Sequence, residues 1–201
     1  MPEAKIAKVR VAVLISGSGS NMAALVDAGQ APDTPYEVVL VLANKPQAGG
    51  LAIAAAKGVP ILAIDHRPFG GDREAHEQAI HTALEAHDVQ IVALAGYMRV
   101  LTPWLVERWA GHMLNIHPSL LPLYPGLHTH ARAIAAGDKQ AGCTVHLVTE
   151  GVDEGEILGQ AAVPIQADDT PDSLAQRVLR AEHRLYPEVL AGFCRSQISF
   201  L

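Results

Sequence analysis

The chain has 201 residues, 49% of them apolar and 18% charged, with a formal net charge of −6. That is enough to close one sizeable core, too apolar for a disordered chain, and too acidic for a general nucleic-acid binder, which would carry a basic patch. Residues Met1 to Arg10 lack the apolar stretch and cleavage pattern of a secretory leader, and no apolar run reaches the ~18 residues of a membrane span. Cys143 and Cys194 are too few for a disulfide framework or a cysteine zinc site, so a reduced, cytoplasmic setting is expected.

The run Val9 to Ile15 reads as a strand buried on both faces, because it has no polar alternation. Ser16-Gly17-Ser18-Gly19-Ser20-Asn21 follows as a glycine loop, and Met22 to Ala28 as a helix. Glu37 to Ala43 is a second strand, Leu51 to Lys57 a short helix and Val59 to Ile64 a third strand. Arg67 to Asp72 is a loop, and Arg73 to His87 a helix with Ala75, Ala79, Ile80, Ala83 and Leu84 on one face. Val89 to Ala95 is a fourth strand, with Gly96-Tyr97-Met98-Arg99 leaving its end. Thr102 followed by Pro103 signals a helix cap.

Met113 to Ile116 is a fifth strand, from which Asn115 and His117 emerge on one side. Pro118 to Gly126 is a proline-stiffened loop, and His130 to Ala136 one or two helical turns. Cys143 to Thr149 and Ile157 to Ile165 are the sixth and seventh strands. Thr170-Pro171 opens a last helix striped by Leu174, Val178, Ala181 and Leu185, which Pro187 kinks or breaks. Strand–helix alternation predicts an α/β, Rossmann-like three-layer fold around a mostly parallel sheet of about seven strands. No linker divides the chain. It reads as one domain over residues 1–201, with a phosphate-binding half to about residue 100 and a catalytic half after it.

Ligands of such sheets sit at the carboxyl ends of the strands, where Gly17 to Asn21, Tyr97 to Arg99 and Asn115 to Pro118 all fall. The glycine loop lacks the third glycine of a dinucleotide site, since position 22 is Met22, and Asn44 stands where an acid would be wanted. It also lacks the Lys-Ser/Thr pair of a nucleotide triphosphatase. Two readings stay open for it: a single phosphate on the Gly19-Ser20-Asn21 amides, or a tight structural turn. A catalytic His117 needs an acid to orient and charge its ring, and Asp138, Glu150, Asp153, Glu154 and Glu156 are all candidates. Spacing alone makes Asp153 a turn residue. His128-Thr129-His130 has no accompanying acid motif and reads as loop or cap, not metal site. Arg73, Arg99 and Glu182 each have a surface or helix-face reading beside a ligand-binding one.

The segments Ile15 to Asn21, Leu94 to Arg99, Leu114 to Pro122, Tyr124 to His130, Thr144 to His146 and Val152 to Gly155 together resemble the phosphoribosylglycinamide formyltransferases. The resemblance covers almost the whole chain. Asn115-Ile116-His117-Pro118-Ser119-Leu120-Leu121-Pro122 is shared by formyltetrahydrofolate-using transferases of this fold. The glycine loop and Pro125-Gly126-Leu127-His128-Thr129-His130 point to the glycinamide branch. Leu123 and Glu156 depart from the commonest pattern, at positions where lysine and proline are frequent.

The resemblance implies formyl transfer from 10-formyltetrahydrofolate to the amine of glycinamide ribonucleotide, in purine synthesis, without metal. It implies a catalytic set of Asn115, His117 and Asp153. The ribonucleotide would meet Gly19, Ser20, Asn21 and Glu182, with its phosphate on the glycine loop. The folate would lie against Tyr97, Met98, Arg99, Val100 and Leu101 and the 149–153 loop, its tail reaching Arg73. Asn115 and a protonated His117 would stabilise the oxygen of a tetrahedral intermediate, with Asp153 keeping His117 charged. Partners would be small molecules, not nucleic acid or membrane, with monomer and homodimer both open. A formyltetrahydrofolate hydrolase and a non-catalytic phosphate-binding module remain as alternatives.

Overall fold

The computed structural model describes residues 7–198. Among these, seven strands form one sheet: Val9–Ile15 (β1), Tyr36–Ala43 (β2), Ile61–Ala63 (β3), Ile91–Leu94 (β4), Met113–His117 (β5), Gln140–Leu147 (β6) and Ile157–Pro164 (β7). Their order is β3-β2-β1-β4-β5-β6-β7. Pairings among β1 to β5 are parallel, and the β5–β6 and β6–β7 pairings are antiparallel. The helices are Ser20–Gly29 (α1), Gly49–Ala56 (α2), Arg73–Ala86 (α3), Pro103–Arg108 (α4), Thr129–Ala136 (α5) and Pro171–Ile198 (α6). None is long and apolar enough to cross a membrane.

The layers follow from the two-residue period of strand side chains. Val11, Val13 and Ile15 of β1 join one core with Met22 and Leu25 of α1 and Leu174, Val178 and Tyr186 of α6. Ala12 and Leu14 face the other way, into a core with Ile80 and Leu84 of α3 and Leu105 of α4. Each fully buried Leu here contributes roughly 2 kcal/mol by leaving water. Strand order reverses between β1 and β4, and that reversal is where open α/β sheets make their ligand crevice.

Local differences from the sequence reading have identifiable causes. β3 is three residues long instead of six, and Ile61 on this edge strand is 44% exposed. Pro60 has no N–H for the ladder, though its carbonyl accepts from Val41 N. β4 is likewise shorter than expected, ending at Leu94. His117 is not the first loop residue but the last of β5, because antiparallel β6 arrives beside it and pairs it with Thr144. Thr102 holds the cap position of α4, yet its side chain does not cap: its hydroxyl donates to Glu77. Thr170 does cap, exchanging bonds with Ser173 in both directions. Pro187 does not break α6. Burial of Tyr186 and Leu190 on either side of it offsets the ~3 kcal/mol cost of a proline in a helix interior.

Candidate active site

The glycine loop closes the end of β1. Gly19 is left-handed at φ 74°, and a Cβ there would lie 2.7 Å from the Gly50 Cα, so only glycine fits between α1 and the start of α2. No side chain caps α1, which leaves its first backbone N–H groups open to an anion. Asn21 Nδ2 donates to Glu182 Oε2 of α6 at 2.6 Å. Burial raises the Glu182 pKa, with the Asn21 bond opposing.

Ser16 ties this loop to its neighbours. Its hydroxyl donates to Asn44 Oδ1 at 2.7 Å and accepts from Met98 N at 2.8 Å. Asn44, read from sequence only as a missing acid, is thus a brace at the end of β2. The Tyr97-to-Leu101 loop is held on its far side by α3. Glu77 accepts from Thr102 N at 2.9 Å, and Arg73 Nη1 donates to Val100 O at 3.4 Å. Arg73 is exposed and Arg99 half-buried. Met98 and Val100 stand 66% and 60% exposed, an apolar rim left open beside the crevice.

Four polar side chains meet across the β5–β6 ladder. The register opposes Asn115 to His146 and His117 to Thr144, while Leu114, Ile116, Cys143 and Val145 turn into the α6 core. Asp153 comes from the loop between β6 and β7. That loop is tight: a Cβ at Gly155 would fall 1.7 Å from Leu147 O, and Asp153 itself has φ 57°. Asp153 Oδ2 lies 3.2 Å from His117 Nδ1 and accepts from Gly126 N at 2.9 Å. Its Oδ1 lies 3.6 Å from His146 Nε2. Of the five acids open from spacing, the structure therefore selects Asp153. Glu150, Glu154 and Glu156 are exposed, and Asp138 binds Tyr124 instead.

The electrostatics follow from these contacts. Burial pushes the Asp153 pKa up, but the bonds from His146 and Gly126 and the charges of both imidazoles outweigh it, and the carboxyl is held below its usual range. His117 Nε2 lies 3.0 Å from Tyr124 O, so both its ring nitrogens face acceptors. His146 Nδ1 lies 2.8 Å from Leu147 O, and its Nε2 lies 3.2 Å from Asn115 Nδ2 and faces Asp153 Oδ1. His130, outside the set, has its pKa lowered by burial and then by the His117 charge.

The structure thus brings Asn115, His117 and Asp153 together, and Gly19, Ser20 and Asn21 with Glu182. Sequence reasoning gave His146 no role. Its signal was available: Thr144 and His146 alternate with apolar Cys143 and Val145, marking a polar face on a buried strand. The side chains of Leu123 and Glu156 are exposed.

An α/β sheet with an anion-ready loop at its switch point and a buried acid–imidazole set beside it has the makings of a ligand crevice equipped for proton transfer. The formyl transferase family profile matches residues 9–190, and the chain belongs to that family. It is 40% identical over 190 residues to phosphoribosylglycinamide formyltransferase of Escherichia coli, covering 94% of this chain and 89% of that one. It is 52% identical over 184 residues to the trifunctional purine biosynthetic protein adenosine-3 of Drosophila melanogaster, covering 90% of this chain but only 14% of that longer protein. The crystal structure of phosphoribosylglycinamide formyltransferase from Brucella melitensis superposes with a TM-score of 0.90 at 55% identity, covering 94% of this chain and 96% of that one.

Proposed function

We propose that the chain transfers the formyl group of 10-formyltetrahydrofolate to the amine of glycinamide ribonucleotide, in the cytoplasm, as a step of purine synthesis. The observation that carries this reading is the His117–Asp153 contact at 3.2 Å, at the end of the strand that also presents Asn115. Relatives matched over nearly their whole length bear the corresponding name.

The ribonucleotide phosphate sits on the open amides of Gly19, Ser20 and Asn21, with Glu182 holding the polar part beyond it. The exposed apolar side chains of Met98, Val100 and Val152 suit a flat pterin, and Arg73 suits the acidic tail of a folate. The amine nitrogen attacks the formyl carbon, and the carbonyl electron pair moves to oxygen. Asn115 has two amide N–H groups and directs one of them at the oxyanion. Both ring nitrogens of His117 face acceptors in the structure, so direct donation falls to Asn115, and a protonated His117 adds its charge beside the oxyanion. A well-aimed donor of this kind is worth about 3 kcal/mol of barrier. Asp153 is ionised, takes the proton from the attacking nitrogen, directly or through water, and supports its return to the leaving folate nitrogen. The intermediate then collapses to the formylated ribonucleotide and tetrahydrofolate.

One spectroscopic assay tests the reading. Tetrahydrofolate should appear only when both substrates are present. Release without the ribonucleotide would identify a hydrolase, and binding without release a non-catalytic module.

A further inference from the structure

Tyr124 has a backbone that its surroundings must enforce. It is bulky and precedes Pro125, yet it sits at φ 55°, a conformation such residues rarely adopt. Three contacts hold it there. Its hydroxyl donates to Asp138 Oδ2 at 2.6 Å. The Arg132 guanidinium lies 5.1 Å from its ring centroid, while Arg132 Nη1 donates to Pro125 O at 2.6 Å. Ser119 Oγ donates to Leu123 O at 2.6 Å and approaches Tyr124 O at 3.3 Å. The product of this conformation is one carbonyl, aimed at His117 Nε2 from 3.0 Å.

We infer that Asp138, through Tyr124, is a positioning residue for His117. The inference rests on the proposed role of His117 in formyl transfer. Asp153 holds Nδ1 of the ring and the Tyr124 carbonyl holds Nε2, so the ring plane is fixed from both ends. A side chain that touches no substrate thereby sets the orientation of a ring that acts on one. Asp138 is half-buried, and its work is to fix a ring, not to carry charge into the site.

The test compares Tyr124→Phe, Asp138→Ala, Asp138→Asn and the Tyr124→Phe/Asp138→Ala double variant in the full chain. Tyr124→Phe and Asp138→Ala should each lower kcat about tenfold while both KM values stay within about twofold, the pattern of a misplaced group rather than lost binding. The double variant should lose no more than either single one, because both remove one link. Asp138→Asn retains an acceptor oxygen and should stay near wild type. The His117 ring N–H proton, protected from water exchange by its carbonyl acceptor, should exchange faster in Tyr124→Phe. Normal kcat in both single variants, or additive losses, would overturn the inference, as would unchanged ring N–H exchange. The exchange measurement needs no substrate. It therefore tests the link even in a protein whose formyl-transfer assay fails, and a wild type that transfers formyl alongside indifferent variants would sink this inference alone.

Discussion

The two sides of the crevice hold their groups by different means. At the end of β1 the polar groups are backbone amides, shaped by a left-handed Gly19 pressed against Gly50, with a single buried side-chain pair, Asn21 and Glu182, behind them. At the end of β5 the polar groups are side chains drawn from two strands and a loop, each bonded to the next: Asn115 to His146, and Asp153 to His117 and Gly126. Under the proposed function, a phosphate on the first side would keep its charge throughout the reaction, so fixed donors would suffice for it. A proton in transit on the second would need groups whose charge can change, and only side chains supply those. Damage should differ accordingly. The β5 side is broken by deleting a functional group, and the β1 side by adding an atom.

The sharpest break is Asp153→Asn. It removes the proposed base, which is also the carboxylate facing His117, while keeping the shape, and kcat should fall about a thousandfold with little change in either KM. Steady-state rates with each substrate varied would show this, and an Asp153→Asn enzyme of near-normal turnover would erase the distinction between the two sides.

Next comes Gly19→Ala. The new Cβ meets the Gly50 backbone in a conformation that already disfavours it, a strain of roughly 1–3 kcal/mol. The KM for the ribonucleotide should rise by about tenfold or more while the KM for the folate stays close to wild type. An equal rise in both would mean that the loop does not bind the phosphate.

The smallest effect is expected at Glu182. Its folded pKa is raised by burial above the unfolded value of ~4.3. The stability it contributes is therefore full below pH ~4.3 and is lost as pH rises through the folded value. Glu182→Gln keeps an oxygen for Asn21 and sheds that loss. Its melting temperature relative to wild type should rise from acidic to neutral pH, while the KM for the ribonucleotide worsens by less than about tenfold. A variant less stable than wild type at neutral pH would show that the carboxylate is held for stability and not for substrate.

Much of this was legible in the chain itself. Apolar runs separated by Gly and Pro placed the strands, and Asn115-Ile116-His117 stood out because a polar pair leaves the end of a buried run straight into a proline-stiffened loop. What could not be read was anything set by the meeting of distant segments. Spacing alone left five acids open for His117 and made Asp153 a turn residue, and only the resemblance singled it out; the fold of the β6–β7 loop brings it within 3.2 Å. Thr102 carried a sound cap signal, yet a buried Glu77 from another helix claimed its hydroxyl. Asn44 was judged by the cofactor it failed to suit, because its partner Ser16 lies at the end of another strand. Propensity and period are local properties, whereas partner choice belongs to the sheet.

The antiparallel register of β5 and β6 carries one more consequence, for error tolerance. Leu114, Ile116, Cys143 and Val145 enter the core on one face of the same ladder that presents Asn115, His117, Thr144 and His146 on the other. A slip of one residue in β6 would drive Thr144 and His146 into the apolar layer and pull Cys143 and Val145 out of it. A misaligned chain is therefore rejected by its own hydrophobicity before it can present a faulty site, and the catalytic spacing is proofread by residues that never meet a substrate.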